Sequence, residues 1–468
     1  MSYYAILAIA TTTVLILGHR LWMRTHNISL PLGLAFLYYW TLQGAWVIVR
    51  ERLSAASNSN YHYSGYQERL FPILLDSAYF EALLVYSLFL IVVAAVLSAA
   101  VKRPPRWNQW SVQPIHISHW RMISIAAISG GISFWIIQGA LSTAMARSIS
   151  GYEFTRNVFS TESPFFTLHQ LLNRVALLAA SLGFGVWWTG ARGRYVLANR
   201  SHVTFLAYVA LLAGLLYLMF LLGNRNELVF AGFAGMLFYM VNAPRARVLV
   251  GAAILAGLLL SANFIYFLRG TAPAGRTVAE KAFDASGLVD FVKTSNEQFV
   301  SHFSLYGAIK HDIPLTYGSS IVSLATSTIP RVLWKERPRT IYDHYAEAVK
   351  AAPGQGYTIH HATGWYLNFG LPGVVIGAAL LGFVWAKLFN WFHEASSSGL
   401  FFRSAQTLAV WAFVADLPSL VRGGPEAYKS LIFETILIPA GIVVLSATNC
   451  VLTPTLTPGR HVLSAGSD

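Results

Sequence analysis

Eleven stretches of this chain, most of them close to the length of one bilayer crossing and nearly free of charge, decide what it can fold into. They lie near residues 3–19, 28–49, 78–100, 121–141, 166–189, 203–222, 228–243, 248–268, 366–388, 404–420 and 430–448. A helix needs about 20 apolar residues to cross the hydrocarbon core. The runs are unbroken rather than alternating, and lipid offers no partner to an open sheet edge, so strands are excluded as spans. The expected fold is all-α: a polytopic integral membrane protein of about 11 transmembrane helices, forming a single membrane domain over residues 1–468. Composition excludes the soluble alternative. With 55% hydrophobic and 11% charged residues, and a mean hydropathy of +0.52, the polar surface is too small to cover a globule of this size.

The formal charge of +13 raises the question of nucleic acid. The bases, however, sit in short clusters between apolar runs, which membrane topology explains, and acidic phosphates of lipids or lipid-linked substrates are the better partners. One set of connections holds Arg20, Arg24, Lys102, Arg103, Arg106, Arg121, Arg192, Arg194, Arg200, Arg245, Arg247, Lys387, Arg403 and Arg460, against Glu394 and Asp468 as acids. That excess marks the cytoplasmic side. The opposite connections then face outward, toward the periplasm of a bacterial cell. They include the one long connection, residues 269–363, expected to cap the outer face with short helices. The first run has its bases after it rather than before it, the reverse of a secretory signal, and reads as a retained span. The single cysteine, Cys450, allows no intramolecular disulfide.

Ionisable residues inside the runs are informative because each costs about 2.5–3.5 kcal/mol at the bilayer centre. Glu81, Arg174, Asp416 and Glu434 all fall toward the outer ends of their runs, and the short outer turns add Arg225 and Glu227 in GNRNE and Arg422 and Glu426 in RGGPEAYK. Snorkelling to water accounts for Glu81 and Glu434. Arg174, two turns deep, calls for an internal partner.

The polar stretch from Ile329 to Gly373 holds the rest of the chemistry. Arg331, Lys335, Arg337 and Arg339 form a cluster suited to a diphosphate at the bilayer surface, since arginine pairs bidentately with phosphate oxygens. An ordinary solvated charge run, with Glu336 and Asp343 as partners, is the other reading. His360 and His361 are adjacent, and a neutral histidine accepts a proton from a hydroxyl nucleophile. A structural hydrogen-bonding role is the alternative for either. Trp365 and Tyr366, with Tyr345 and Tyr357 nearby, suit either a stacked sugar or an interfacial aromatic belt. No HExxH, CxxC, GxSxG or P-loop occurs, so neither a metal nor any other cofactor is expected.

The order of these elements resembles the Wzy-type O-antigen and oligosaccharide repeat-unit polymerases. The resemblance rests on about eleven spans, the Arg-bearing GNRNE turn, a late outer loop containing IPRVLWKERP, GWYLNFGLPG entering a span, and the RGG turn. It implies a glycosyltransferase of the bacterial inner membrane, acting in lipopolysaccharide-type polysaccharide biosynthesis. Such an enzyme transfers a glycan from undecaprenyl diphosphate to another lipid-linked repeat unit, without a metal, in some cases beside a chain-length regulator protein. By position, the family's functional arginines carry over to Arg225, Arg331 and Arg422, then to Arg337 and Arg339. Under this reading these arginines and Lys335 hold the diphosphate, Trp365 and Tyr366 guide the glycan, and Arg174 supports the cavity wall. His360 or His361 takes the acceptor proton, with Glu426 and Asp343 as competing bases. An O-antigen ligase acting on lipid A-core is the nearest alternative, and a lipid-linked oligosaccharide flippase is the alternative of another class.

Overall fold

The computed structural model describes residues 3–26, 29–53, 73–103, 115–146, 165–189, 196–197, 201–222, 297–326, 338–351, 358–393 and 420–448, with Trp334, Glu336 and Leu417. Among these residues eight helices are long and apolar enough to cross a membrane. They are α1 (Tyr3–Thr25), α2 (Leu30–Arg50), α3 (Ser77–Ala100), α4 (His119–Ala146), α5 (Phe166–Thr189), α6 (His202–Leu222), α10 (His361–His393) and α11 (Gly424–Ser446). The chain is thus an all-α polytopic membrane protein. The expected runs at 228–243 and 248–268, and nearly all of 404–420, lie outside the described residues. Three shorter helices, α7 (Glu297–Lys310), α8 (Ser319–Thr326) and α9 (Ile341–Ala348), come from the long connection. Among the described residues the β-structure is a two-residue parallel clip, β1 (Ile115–His116) beside β2 (Val196–Leu197), and two isolated bridges.

Several hydroxyls inside these helices are satisfied locally, as a hydrocarbon environment demands. The hydroxyls of Thr11, Thr25, Thr41 and Ser446 each donate to the carbonyl one turn earlier, at 2.6–2.7 Å. Among the described residues two helices carry π-helical stretches, α2 at Tyr39–Gln43 and α11 at Ser430–Leu437. Such insertions turn a helix face locally and recur at functional sites.

The described side chains form two cores. One unites α1, α2, α3 and α10 with Phe303 of α7 and with Ile341 and Tyr345 of α9; the other unites α4, α5 and α6. Helix α11 belongs to both, through Ala427 and Leu431 at one end and Ile442 and Val443 at the other.

Hydrogen bonds sort the residues onto two ends. At one end Arg24 donates to the Ser98 carbonyl (2.8 Å), Asn390 accepts from Lys102 N (2.8 Å) and donates to the Ala100 carbonyl (2.9 Å), and Arg121 donates to the Ala447 carbonyl (2.9 Å). These are residues of the base-rich connections. The helices of the long connection lie at the opposite end.

Asp76 ties the second end together. Its carboxylate caps α3 by accepting from Tyr79 N (3.1 Å) and also accepts from Tyr306 Oη (3.1 Å) and Lys310 Nζ (2.5 Å) of α7. Burial works to raise the Asp76 carboxyl, but the hydrogen bonds from Lys310, Tyr79 N and Tyr306 outweigh it and hold it below the ordinary value. A carboxyl depressed on folding contributes stability above the unfolded aspartate range and loses it as pH falls through the folded value. Asp76→Ala is therefore expected to lower thermal stability at neutral pH, with the lost cap alone costing about 1 kcal/mol. The exposed lysine adds little. Melting curves in detergent at a series of pH values should show the gap from wild type closing as pH drops below the aspartate range.

Candidate functional site

The candidate site lies at this second end, where α10, α9 and the turn before α11 meet. Its geometry starts from FGLPG. Proline has no N–H, and its ring meets the carbonyl four residues earlier, so Pro372 cannot continue the helix begun at His361. The chain breaks at Phe369 (φ −143°, ψ 16°) and Gly370 (φ 65°, ψ −151°), a left-handed position that suits glycine, and restarts with Pro372 in the first turn.

The break folds the chain back on itself. A Cβ added at Gly373 would stand 2.4 Å from the Trp365 carbonyl oxygen, and one at Gly377 would stand 2.3 Å from the Trp365 ring. In a straight helix Trp365 and Gly377 would be separated by about 18 Å along the axis, twelve residues at about 1.5 Å each. The segment from His361 to Asn368 is accordingly a short helix laid against the start of the span. Its far end is closed by the long connection: Asn368 Oδ1 accepts from Thr316 Oγ1 (2.8 Å) and Ser320 Oγ (2.9 Å), while Asn368 Nδ2 donates to the Gly364 carbonyl (2.7 Å).

His360 and His361, expected to offer a nitrogen to the acceptor hydroxyl, do not reach a surface. They are 1% and 0% exposed, and both nitrogens of each ring are engaged. His360 caps the short helix, its Nδ1 accepting from Ala362 N at 3.0 Å. Because the Thr41 hydroxyl already donates to the Leu37 carbonyl, it accepts from His360 Nε2–H at 3.2 Å. Burial, then the neighbouring His361 and His302, push the His360 imidazole well below its ordinary value, so it is neutral near pH 7. His361 has the opposite tautomer. Its Nδ1–H is shared between the carbonyls of Leu420 and Gly424, at 3.0 Å each, and its Nε2 accepts from Trp365 Nε1–H at 3.1 Å. Neither ring keeps a lone pair open to an acceptor hydroxyl.

Trp365 is likewise 6% exposed inside the fold-back, so it offers no stacking face for a sugar. Tyr366 is half-buried and donates to Glu81 Oε1 at 3.1 Å, giving Glu81 a protein partner as well as a route to water.

The RGGPE turn is held on two sides. From α10, His361 grips two carbonyls, Ile359 bridges Gly423 in parallel, and Gly364 packs on Pro425 so closely that a Cβ there would meet its Cδ at 2.4 Å. From α9, Ile341 N donates to Glu426 Oε1 (2.6 Å) and Tyr342 Oη donates to the Arg422 carbonyl (2.8 Å). Glu426, expected as a competing base, thus places its carboxylate on the N-terminus of α9. Asp343 completes a capping box with Thr340 and stays exposed. Arg339 is exposed and ion-paired with Glu347 rather than with Glu336 or Asp343. Arg422 is half-buried on the turn itself. Arg174 lies half-buried on α5, next to Val175, which packs on the second core. Arg225, Arg331, Lys335 and Arg337 lie outside the described residues.

Sequence reasoning missed a buried polar layer beneath the short helix. Tyr86 Oη donates to the Ser301 carbonyl (2.7 Å) and accepts from Thr363 Oγ1 (3.0 Å), and Ser304 Oγ donates to the Thr358 carbonyl (2.5 Å). His302 packs edge-on to Tyr86 with centroids 4.8 Å apart, and neither of its nitrogens reaches hydrogen-bond geometry with a partner among the described residues. Burial pushes its imidazole down to about 4, with the nearby Thr41 carbonyl opposing in part. The hint in the sequence was polar residues within apolar runs, Thr41 and Tyr86. Among the described residues no three His, Cys, Asp or Glu side chains gather as a metal site.

This end of the molecule therefore sets a layer of buried polar side chains beneath the turn that carries Arg422, with the Glu426 carboxylate turned to the N-terminus of α9. Comparison of the chain with protein-family models, curated proteins and solved structures finds no match.

Proposed function

We propose that the protein is a lipid-linked repeat-unit polymerase. It transfers a glycan from undecaprenyl diphosphate to the terminal sugar of a second lipid-linked unit, at the periplasmic face of a bacterial inner membrane. The observation that carries this reading is the docking of α9 on the RGG turn. It brings the segment that follows IPRVLWKERP onto Arg422, at the end of the bundle opposite Arg24, Lys102 and Arg121.

In this mechanism Arg422, with Arg225, Arg331, Lys335 and Arg337, neutralises the charge that develops on the diphosphate as the glycosidic bond breaks. Preorganised donors of this kind act on the transition state more than on the bound substrate. The acceptor hydroxyl attacks the anomeric carbon. Of the four groups expected to receive its proton, Asp343 is the one that is exposed, and the proton-accepting role passes to it.

Reconstitution with a short undecaprenyl-diphosphate-linked repeat unit, followed by gel separation of glycan lengths, tests the reading. A ladder is expected from the wild type and a strong reduction from Arg331→Ala. Transfer to lipid A-core without a ladder would replace the polymerase with a ligase, and movement of the intact donor across the bilayer without a new glycosidic bond would replace it with a flippase.

A further inference from the structure

We propose that His361 is a positioning residue for Arg422, holding the RGG turn through its Nδ1–H, rather than a base. The inference rests on the reading of Arg422 as a diphosphate-binding group.

The carbonyls two residues before and two residues after Arg422, those of Leu420 and Gly424, both accept from the same His361 nitrogen at 3.0 Å. The carbonyl of Arg422 itself accepts from Tyr342 Oη at 2.8 Å. Three alternate peptide oxygens are therefore fixed, and with them the peptide planes from which the arginine side chain departs. Gly424, at φ 62°, gives the turn the backbone bend this pattern requires.

The other side of the ring explains why a histidine stands here. Its Nε2 must accept, because Trp365 Nε1–H donates to it at 3.1 Å, and Trp365 is wedged against Gly373 and Gly377. One planar side chain thus donates to the turn and accepts from the fold-back helix. Tyr428, edge-on at 5.2 Å between centroids, and Phe89 at 5.9 Å set the plane of the ring. The geometry links the break at Gly370 to the orientation of Arg422 through Trp365 and His361.

Substitution separates positioning from proton transfer. In asparagine the amide nitrogen is two bonds from Cβ, as Nδ1 is in histidine, whereas in glutamine it stands where Nε2 stood and would face the Trp365 N–H, donor against donor. In the full-length reconstituted protein, His361→Ala is expected to slow ladder formation about tenfold, with an unchanged pH profile. His361→Asn should recover most of that loss, and His361→Gln should not. Equal loss in the Ala and Asn variants, with one limb of the pH profile gone, would overturn the proposal in favour of a base.

A second measurement does not need activity. With Ile359→Cys and Gly423→Cys in a Cys450→Ser background, oxidative cross-linking in membranes reads the turn directly. High yield with His361 or His361→Asn and low yield with His361→Ala supports the clamp, and equal yields overturn it. A wild type that makes no ladder but keeps this cross-linking pattern would remove the polymerase reading while leaving the clamp standing.

Discussion

Arg422→Ala is expected to cut the rate of ladder formation by about 10²–10³-fold, the range seen when one preorganised donor to a developing negative charge is removed. The main-chain contacts of the turn should survive the substitution. The main chain of Arg422, rather than its side chain, accepts the Tyr342 hydrogen bond, and the clamp from His361 falls on the residues on either side. Arg422→Lys should recover only part of the rate, because an ammonium keeps the charge but loses the planar fork that pairs with two phosphate oxygens. Initial rates at saturating and at limiting donor make the check. A fall confined to the limiting-donor condition would assign Arg422 to ground-state binding and sink its role in leaving-group stabilisation.

Gly373→Val is expected to be the most damaging single change to the fold. The obstacle to a Cβ at Gly373 is the Trp365 carbonyl, a main-chain atom at 2.4 Å, so no rotamer can relieve it. Overpacking of this kind costs about 1–3 kcal/mol and more where backbone must move. The short helix would have to swing off the span, taking Trp365 and the His361 clamp with it. Thermal unfolding in detergent should show the loss directly, and the cross-link between positions 359 and 423 should fall with it. A Gly373→Val protein with wild-type melting and full cross-linking would contradict the fold-back. Gly131, where an added Cβ meets nothing within 4 Å, supplies the control, and Gly131→Val is expected to be nearly silent.

The fold was legible because crossing a bilayer imposes a length and a solubility on each segment, and both can be read from sequence. All eight described membrane-length helices fall on expected runs. Helix α10 begins at His361 rather than near residue 366 because the expected run excluded the polar residues HHATG, whose hydrogen bonds are met by distant parts of the chain. Here one-dimensional reasoning ends. Thr41 and His360 are 319 residues apart, and Tyr86 and Thr363 are 277 apart, and no periodicity announces such pairs. The close approach of glycine and the first-turn proline were readable from FGLPG, whereas the reversal of direction that makes Trp365 a wedge was not. For the same reason polarity misled at Glu426 and His361. A carboxylate and an imidazole in a polar segment look available to substrate, and only the third dimension shows that helix α9 and two turn carbonyls have already taken them.

The shared membership of α11 in both cores has a consequence for biosynthesis. Helices α1 to α10 leave the ribosome before α11, so the two cores are laid down with neither Leu431 nor Val443 in place to join them. Until that helix emerges, the Nδ1–H of His361 has no Gly424 carbonyl to donate to, and α9 has no Glu426 at its N-terminus. Insertion of α11 thus adds the contacts it makes with both cores and completes the turn that carries Arg422. A chain stalled before Gly424 would lack those contacts and the second carbonyl held by His361.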